Sequence, residues 1–173
     1  MKLFNIFIVS AALLASTYSQ AETLTTKIGT LELPDGLVSL DRKEDVDAST
    51  GKPSGIFVYT KANDAPRAIF IVTYTFAKPD DKPFDARDAA VKIGNPFDTS
   101  LTAKDATNSA VGGVAAGRYE GTLPNGLRAI SYAVENKGYR VVVLIKGPPK
   151  SPYEKLMKEF ATAIEKMQWD AAQ

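Results

Sequence analysis

The chain has 21 lysines and arginines, 20 aspartates and glutamates, 7 tyrosines, and neither histidine nor cysteine. Any chemistry it performs must therefore come from carboxylates, phenols, hydroxyls or amines. The commonest general base and transition-metal ligand is missing. Thiolate zinc sites, a cysteine nucleophile and disulfides are excluded outright.

The spacings that remain fall short of the chemistry they suggest. Asp45-Val46-Asp47-Ala48-Ser49 opens like a calcium loop, with oxygen ligands at alternate positions. Such a loop needs glycine where Thr50 stands and a closing glutamate where Ile56 stands. Both requirements fail, and a solvated loop is the expectation. Ser49-Thr50-Gly51-Lys52 matches Ser-x-x-Lys, but that arrangement works only when the serine opens a helix with the lysine one turn on. Gly51 and Pro53 forbid the helix. Asp80 and Asp81 are adjacent, whereas paired catalytic carboxylates face each other across a cleft at ~5–9.5 Å. They read as a charged turn neutralised by Lys78 and Lys82. Gly112-Gly113 belongs to no phosphate-binding fingerprint and reads as a bulge or hinge. Lys146-Gly147-Pro148-Pro149-Lys150 precedes a helix start, where anions can bind. Ser151 and Glu154 are expected to serve the free N–H groups there. The sequence therefore nominates no catalytic, cofactor-binding or metal-ligating residue and no cofactor, and it leaves the binding residues unspecified.

The first 21 residues form a separate unit. Lys2 is a short positive region, residues 3–15 are apolar apart from Asn5 and Ser10, and Ser19-Gln20-Ala21 is a small-x-small cleavage site. That is the layout of a secretory signal peptide, too short to span a bilayer. No cysteine follows it to carry a lipid anchor. The expectation is a periplasmic or secreted domain of residues 22–173. Removing Lys2 leaves 20 basic and 20 acidic residues, so this domain has no net pull on phosphate backbones or anionic lipid. Nucleic acid is not expected as a partner. The absence of thiols suits an oxidising compartment.

The elements expected in residues 22–173 follow from periodicity and turn chemistry. Residues 25–33 read as one strand ending in a Leu-Pro-Asp-Gly turn at Leu33–Gly36. Residues 37–40 read as a short strand, and 41–54 as an exposed loop. GIFVYT (55–60) and RAIFIVTYTF (67–76) are β-branched and aromatic. They are joined by a turn at 63–66. In the second of these strands Phe70, Val72, Tyr74 and Phe76 should face the core, while Ile69, Ile71, Thr73 and Thr75 form a half-polar, lightly covered face. Asp85 is an N-cap candidate for a helix running to Ile93, with Gly94 as its C′ residue. Residues 101–111 show no clear period. Residues 114–122, 127–135 and 139–146 then read as three consecutive strands with turns at Pro124-Asn125-Gly126 and Asn136-Lys137-Gly138. The last of them is apolar on both faces, which marks a central strand.

The closing element is an amphipathic helix of about five turns. Ser151, Pro152 and Glu154 form a capping-box pattern. Tyr153, Leu156, Met157, Phe160, Ile164 and Met167 form the apolar stripe, and Trp169 should close its end. Antiparallel strands with a long C-terminal helix and a short helix packed on one face give the α+β class.

The stretches Gly29–Gly36 (GTLELPDG) and Tyr139–Ile145 (YRVVVLI), with the closing helix and Trp169, resemble the PsbP-like fold. That superfamily includes a photosystem II extrinsic protein and periplasmic bacterial relatives. The resemblance is one of architecture and implies a non-enzymatic accessory role, docked on another protein. No site residue follows from it. The competing expectation is an inhibitor or immunity protein against an envelope-targeting enzyme such as a lysozyme or other wall hydrolase. It rests on Ser54–Tyr59 (SGIFVY), which approximates the Ser-Gly-x-x-Tyr signature of lysozyme inhibitors with one residue too many. An enzyme built on carboxylates or tyrosines is the least favoured of the three.

Overall fold

The computed structural model describes residues 22–62 and 67–170. The expected leader (1–21) and the expected turn at 63–66 lie outside the described residues. The chain builds a small sheet, a large sheet and two helices.

The small sheet contains β1 (Thr23–Thr25), β2 (Gly29–Glu32) and β10 (Gln168–Trp169), in the order β1-β2-β10 and all antiparallel. The single strand expected over 25–33 is thus a hairpin. Thr26 breaks it: its Oγ1 accepts from the N–H groups of Ile28 and Gly29 at 3.2 Å each and donates to the Gly29 carbonyl at 2.8 Å. A threonine hydroxyl that bonds its neighbours' backbone competes with the ladder.

The large sheet is a seven-stranded antiparallel array. Its members are β3 (Leu37–Val46), β4 (Pro53–Lys61), β5 (Ile69–Phe76), β6 (Thr107–Val111), β7 (Val114–Thr122), β8 (Arg128–Asn136) and β9 (Tyr139–Gly147). The order β3-β4-β5-β9-β8-β7-β6 puts β9 at the centre, as its two apolar faces indicate. The loop expected over 41–54 is corrected: β3 continues to Val46, and only residues 47–52 turn. Every residue of β3 after Leu37 is exposed. An edge strand needs no apolar alternation, and its run Asp41-Arg42-Lys43-Glu44-Asp45 blunts the unpaired edge. Its register on β4 shifts between Ser39 and Asp41 through a bulge.

Helix α1 (Ala86–Gly94) starts where expected. The Asp85 carboxylate accepts from the N–H groups of Arg87 and Asp88, and Asp88 lies in the first turn. Gly94, however, is the last helical residue and not a left-handed cap. A Cβ there would collide with the Tyr119 ring and the Ser131 hydroxyl, so the glycine permits close packing of helix on sheet. Residues 101–111 resolve into a 3-10 turn at Ala103–Asp105, capped by Thr102, followed by β6.

Helix α2 (Tyr153–Glu165) has 13 residues, shorter than the five turns expected. Its stripe is as read: Tyr153, Leu156, Met157, Phe160 and Ile164 are buried. Met167 is also buried but lies past the helix end. The capping box does not form. Pro152 is the N-cap and makes no side-chain cap, and the Glu154 carboxylate turns to Arg128 and Lys158, both at 3.1 Å. A guanidinium on the sheet outcompetes a local backbone bond. Trp169 does not cap the helix either: it sits in β10 and donates from Nε1 to the Val111 carbonyl at 2.9 Å. No helix among the described residues is long and apolar enough to cross a membrane.

Both helices were expected on one face of the sheet, but they take opposite faces. Register fixes this. Phe70, Ile145 and Ile130 are aligned across β5, β9 and β8, as are Val72, Val143 and Tyr132. That face carries the main core under α2 and the small sheet, with Phe160 against Phe70 at 5.0 Å between ring centroids. The alternate residues Ala133 and Val142 join Ala90, Val91, Ala106 and Tyr119 in a smaller core under α1. Ser131 anchors that helix by donating to the Ala90 carbonyl at 2.6 Å.

Candidate functional site

Among the described residues, polar or exposed apolar side chains from separate parts of the chain meet in several places.

The first is an ionic network between the main sheet and α2. Glu120 on β7 is held by both Arg118 and Arg128. Arg128 also reaches Glu154, which pairs with Lys158 one turn along α2. Tyr132 accepts from Arg118 Nε at 3.1 Å and donates to Glu165 at 2.8 Å. Burial opposes ionisation of Glu120, but hydrogen bonds from Arg128 and Arg118 outweigh it and lower its pKa. Burial pushes the Tyr132 phenol up to about 12, with Glu165 reinforcing and Arg118 opposing the shift. Each carboxylate here faces a cation or a phenol. The network fastens α2 to the sheet, which is the chemistry of a structural clamp.

The second is the part of the outer sheet face that α1 leaves open. α1 packs on β7, β8 and β9. On the other side of β9 the same face carries Ile56 and Val58 of β4, Ile69 and Ile71 of β5, and Leu144 of β9. Ile56 is 38% exposed, and the others are half-buried. Among the described residues, four of the five large apolar side chains that stand exposed, Val38, Leu40, Val46 and Ile56, belong to β3 or β4; Val46, opposite Pro53, lies on the other face from Ile56. The charges of Asp41, Lys43 and Asp45 border this area. A concentration of apolar surface rimmed by charge is the usual form of a protein-binding patch.

The third is a cleft of about 430 Å³ at one end of the sheet. It is lined by lysines 27, 52 and 137, by Phe76, Tyr139 and Trp169, and by Asp170. Each lysine sits on a different turn. Lys27 follows Thr26, and its N–H donates to Glu44 at 2.8 Å. Lys52 ends the β3–β4 turn. That turn is fastened by Asp47, whose Oδ1 accepts from the N–H groups of Ser49 and Thr50 and from both hydroxyls. These bonds, the Ser49 hydroxyl's first, lower the Asp47 carboxyl to about 2. Lys137 adopts φ 49° in the tight β8–β9 turn ahead of Gly138, at φ 82°. The aromatic walls are mutually braced: Phe76 meets Tyr139 edge-on at 5.0 Å, and Tyr139 meets Tyr74 at 6.1 Å. Burial, then its hydrogen bond to Glu44, raises the Tyr74 phenol above its ordinary range.

The motifs weighed in the sequence fall elsewhere or serve as scaffolding. Asp45 accepts from the N–H of Val46, and Asp47 Oδ1 is engaged in its own turn. Ser49 donates to Asp47 and no helix brings Lys52 beneath it. Asp81 is held mainly by Arg140, at 2.7 Å, where Lys78 and Lys82 were expected to neutralise it. Gly112 and Gly113 make the β6–β7 hairpin turn with φ of 55° and 78°, correcting the bulge or hinge. Lys146 and Gly147 complete β9, and the Lys150 carbonyl accepts from the Glu154 N–H at 3.0 Å. Ser54–Tyr59 lies within β4 with Phe57 and Tyr59 in the core, so the tyrosine of the inhibitor-like signature does not project. Among the described residues no group of three or more acidic side chains converges as a metal site.

No family model matches this chain, and no curated protein does. It is similar in structure to a crystal structure from Bacteroides thetaiotaomicron VPI-5482, with a TM-score of 0.47 and 11% identity. The match covers 82% of this chain and 45% of that one, so the chain spans less than half the length of that neighbour.

Only one of these places had a sequence signal. The alternation Ile69, Ile71, Thr73, Thr75 marks a lightly covered face, and Ile71 and Thr73 are half-buried in the open region. The cleft had none. Its residues come from five separate segments, and each looks locally like an ordinary turn or strand end.

Proposed function

We propose that residues 22–173 form an exported, non-catalytic accessory protein of the cell envelope that docks on another protein through the open β3–β4–β5 face. One observation carries this reading: exposed apolar side chains are gathered on two neighbouring strands, next to a half-face that α1 leaves uncovered. Val38, Leu40 and Ile56 remain 42%, 53% and 38% exposed, and a partner seated on this face would remove that apolar surface from water. The leader-like first 21 residues support export, and the resemblance to the PsbP-like fold supports an accessory role. The ionic network supports a non-catalytic reading, because its carboxylates are already engaged in holding α2.

The test is capture from a periplasmic extract with the purified protein, comparing the native chain with a Leu40→Asp/Ile56→Asp variant. A partner identified by mass spectrometry should be retained by the native chain and lost by the variant, with unfolding midpoints alike. Retention by both would remove the assigned face. Recovery of a wall hydrolase, with inhibition of its turnover, would select the inhibitor reading in place of the accessory one.

A further inference from the structure

We propose that the lysine–aromatic cleft at the end of the sheet binds a small dianion built on a flat ring. This site lies apart from the open face and does not depend on the docking reading.

Charge points to the anion. Lys27, Lys52 and Lys137 converge on one cleft, and none forms an ion pair with an acidic side chain among the described residues. The one carboxylate lining the cleft is Asp170, so the lining carries an excess of about two positive charges. Lys137 Nζ donates to the Asp170 carbonyl at 3.4 Å, and the positive excess that remains on the lining favours an anion with two charges.

The walls point to the ring. Phe76, Tyr139 and Trp169 supply aromatic surface on the same cleft. Their positions are set before any ligand arrives. Phe76 and Tyr139 brace each other, and the Trp169 indole is fixed by its bond to Val111. The Lys52 ammonium lies 5.7 Å from the Phe76 ring centroid, so charge and ring surface are adjacent. Pre-set walls reduce the ordering cost of binding. A volume of about 430 Å³ matches a small molecule and falls in the ordinary range of ligand pockets.

Trp169 is the chain's one tryptophan, so its fluorescence reports this cleft without labelling. Purified protein is titrated with isophthalate (two carboxylates on a benzene ring), with inorganic phosphate and with benzamide, and calorimetry on the same solutions guards against absorption by the ligand. Isophthalate should shift Trp169 emission, release heat and bind at least about tenfold more tightly than either control. Raising salt should weaken it, because these ammonium groups are exposed. Lys52→Ala and Lys137→Ala should each weaken it by about five- to tenfold. Phe76→Leu should weaken isophthalate and leave phosphate unchanged. No response to isophthalate by about 10 mM would overturn the proposal, and so would equal binding of phosphate or benzamide. The Leu40→Asp/Ile56→Asp variant should bind isophthalate normally, which separates failure here from failure of the docking face.

Discussion

At the scale of single residues, two tyrosines with similar burial behave differently because of what meets their hydroxyls. Tyr59 is fully buried, and its Oη has no hydrogen-bond partner among the described side chains and backbone. A buried hydroxyl without a partner keeps its desolvation cost. Tyr59→Phe should therefore leave stability unchanged or raise it by up to about 1 kcal/mol in urea denaturation. A loss of that size would reveal a hidden partner. Tyr132 has partners, and they change its titration. Its pKa is raised from 10.0 to about 12, chiefly by burial and then by donation to Glu165. A raised value means that the fold prefers the protonated phenol. The stabilisation is complete below pH 10 and is lost as pH rises from about 10 to about 12. Ultraviolet titration of tyrosinate should show this phenol ionising late, together with loss of tertiary signal. Ionisation near 10 would show that Tyr132 is not clamped as described.

At the scale of elements, the two helices test how far a local motif can be trusted. Both begin with residues that suit an N-terminus, yet only α1 is capped by a side chain. Asp85→Ala should cost about 1 kcal/mol, whereas Ser151→Ala should stay within about 0.5 kcal/mol. Equal losses in denaturation midpoint would restore the capping box. The sequence was misleading here because a capping box is a pattern over four residues, while Arg128, 26 positions before Glu154, decided the outcome. The same reasoning sorts the strands. β5, β8 and β9 were legible because burial on one or both faces leaves a periodic trace. β3 was not, because a charged edge strand looks like a loop. The hairpin in residues 23–32 was hidden by one threonine. Gly94 read as a cap because glycine follows helices often, and nothing local told of the Tyr119 ring above it.

At the scale of the molecule, a seven-stranded sheet carries two unequal cores. The larger gathers aromatic and aliphatic side chains under α2 and the small sheet, and the smaller is mostly alanine and valine under α1. The α+β class and the central position of β9 could be read from the sequence, since both depend on patterns within strands. The opposite placement of the helices could not, because it depends on which face each strand turns to its neighbour. For the same reason the open face was partly foreseen through Ile69–Thr75, and the cleft, assembled from five distant segments, was not.

The small sheet also links the outer limits of the described chain. β1 and β10 lie on either side of β2, and Thr25 and Gln168 share Thr30 as their partner. A stretching force applied between residues 22 and 170 would load this trio first. Its strands have 3, 4 and 2 residues, against nine in the central β9. Single-molecule pulling should record a soft initial yield before a stiffer rupture of the large sheet. That first yield would strip Trp169 from Val111 and empty the cleft of one wall, making the lysine-lined end of the protein sensitive to tension.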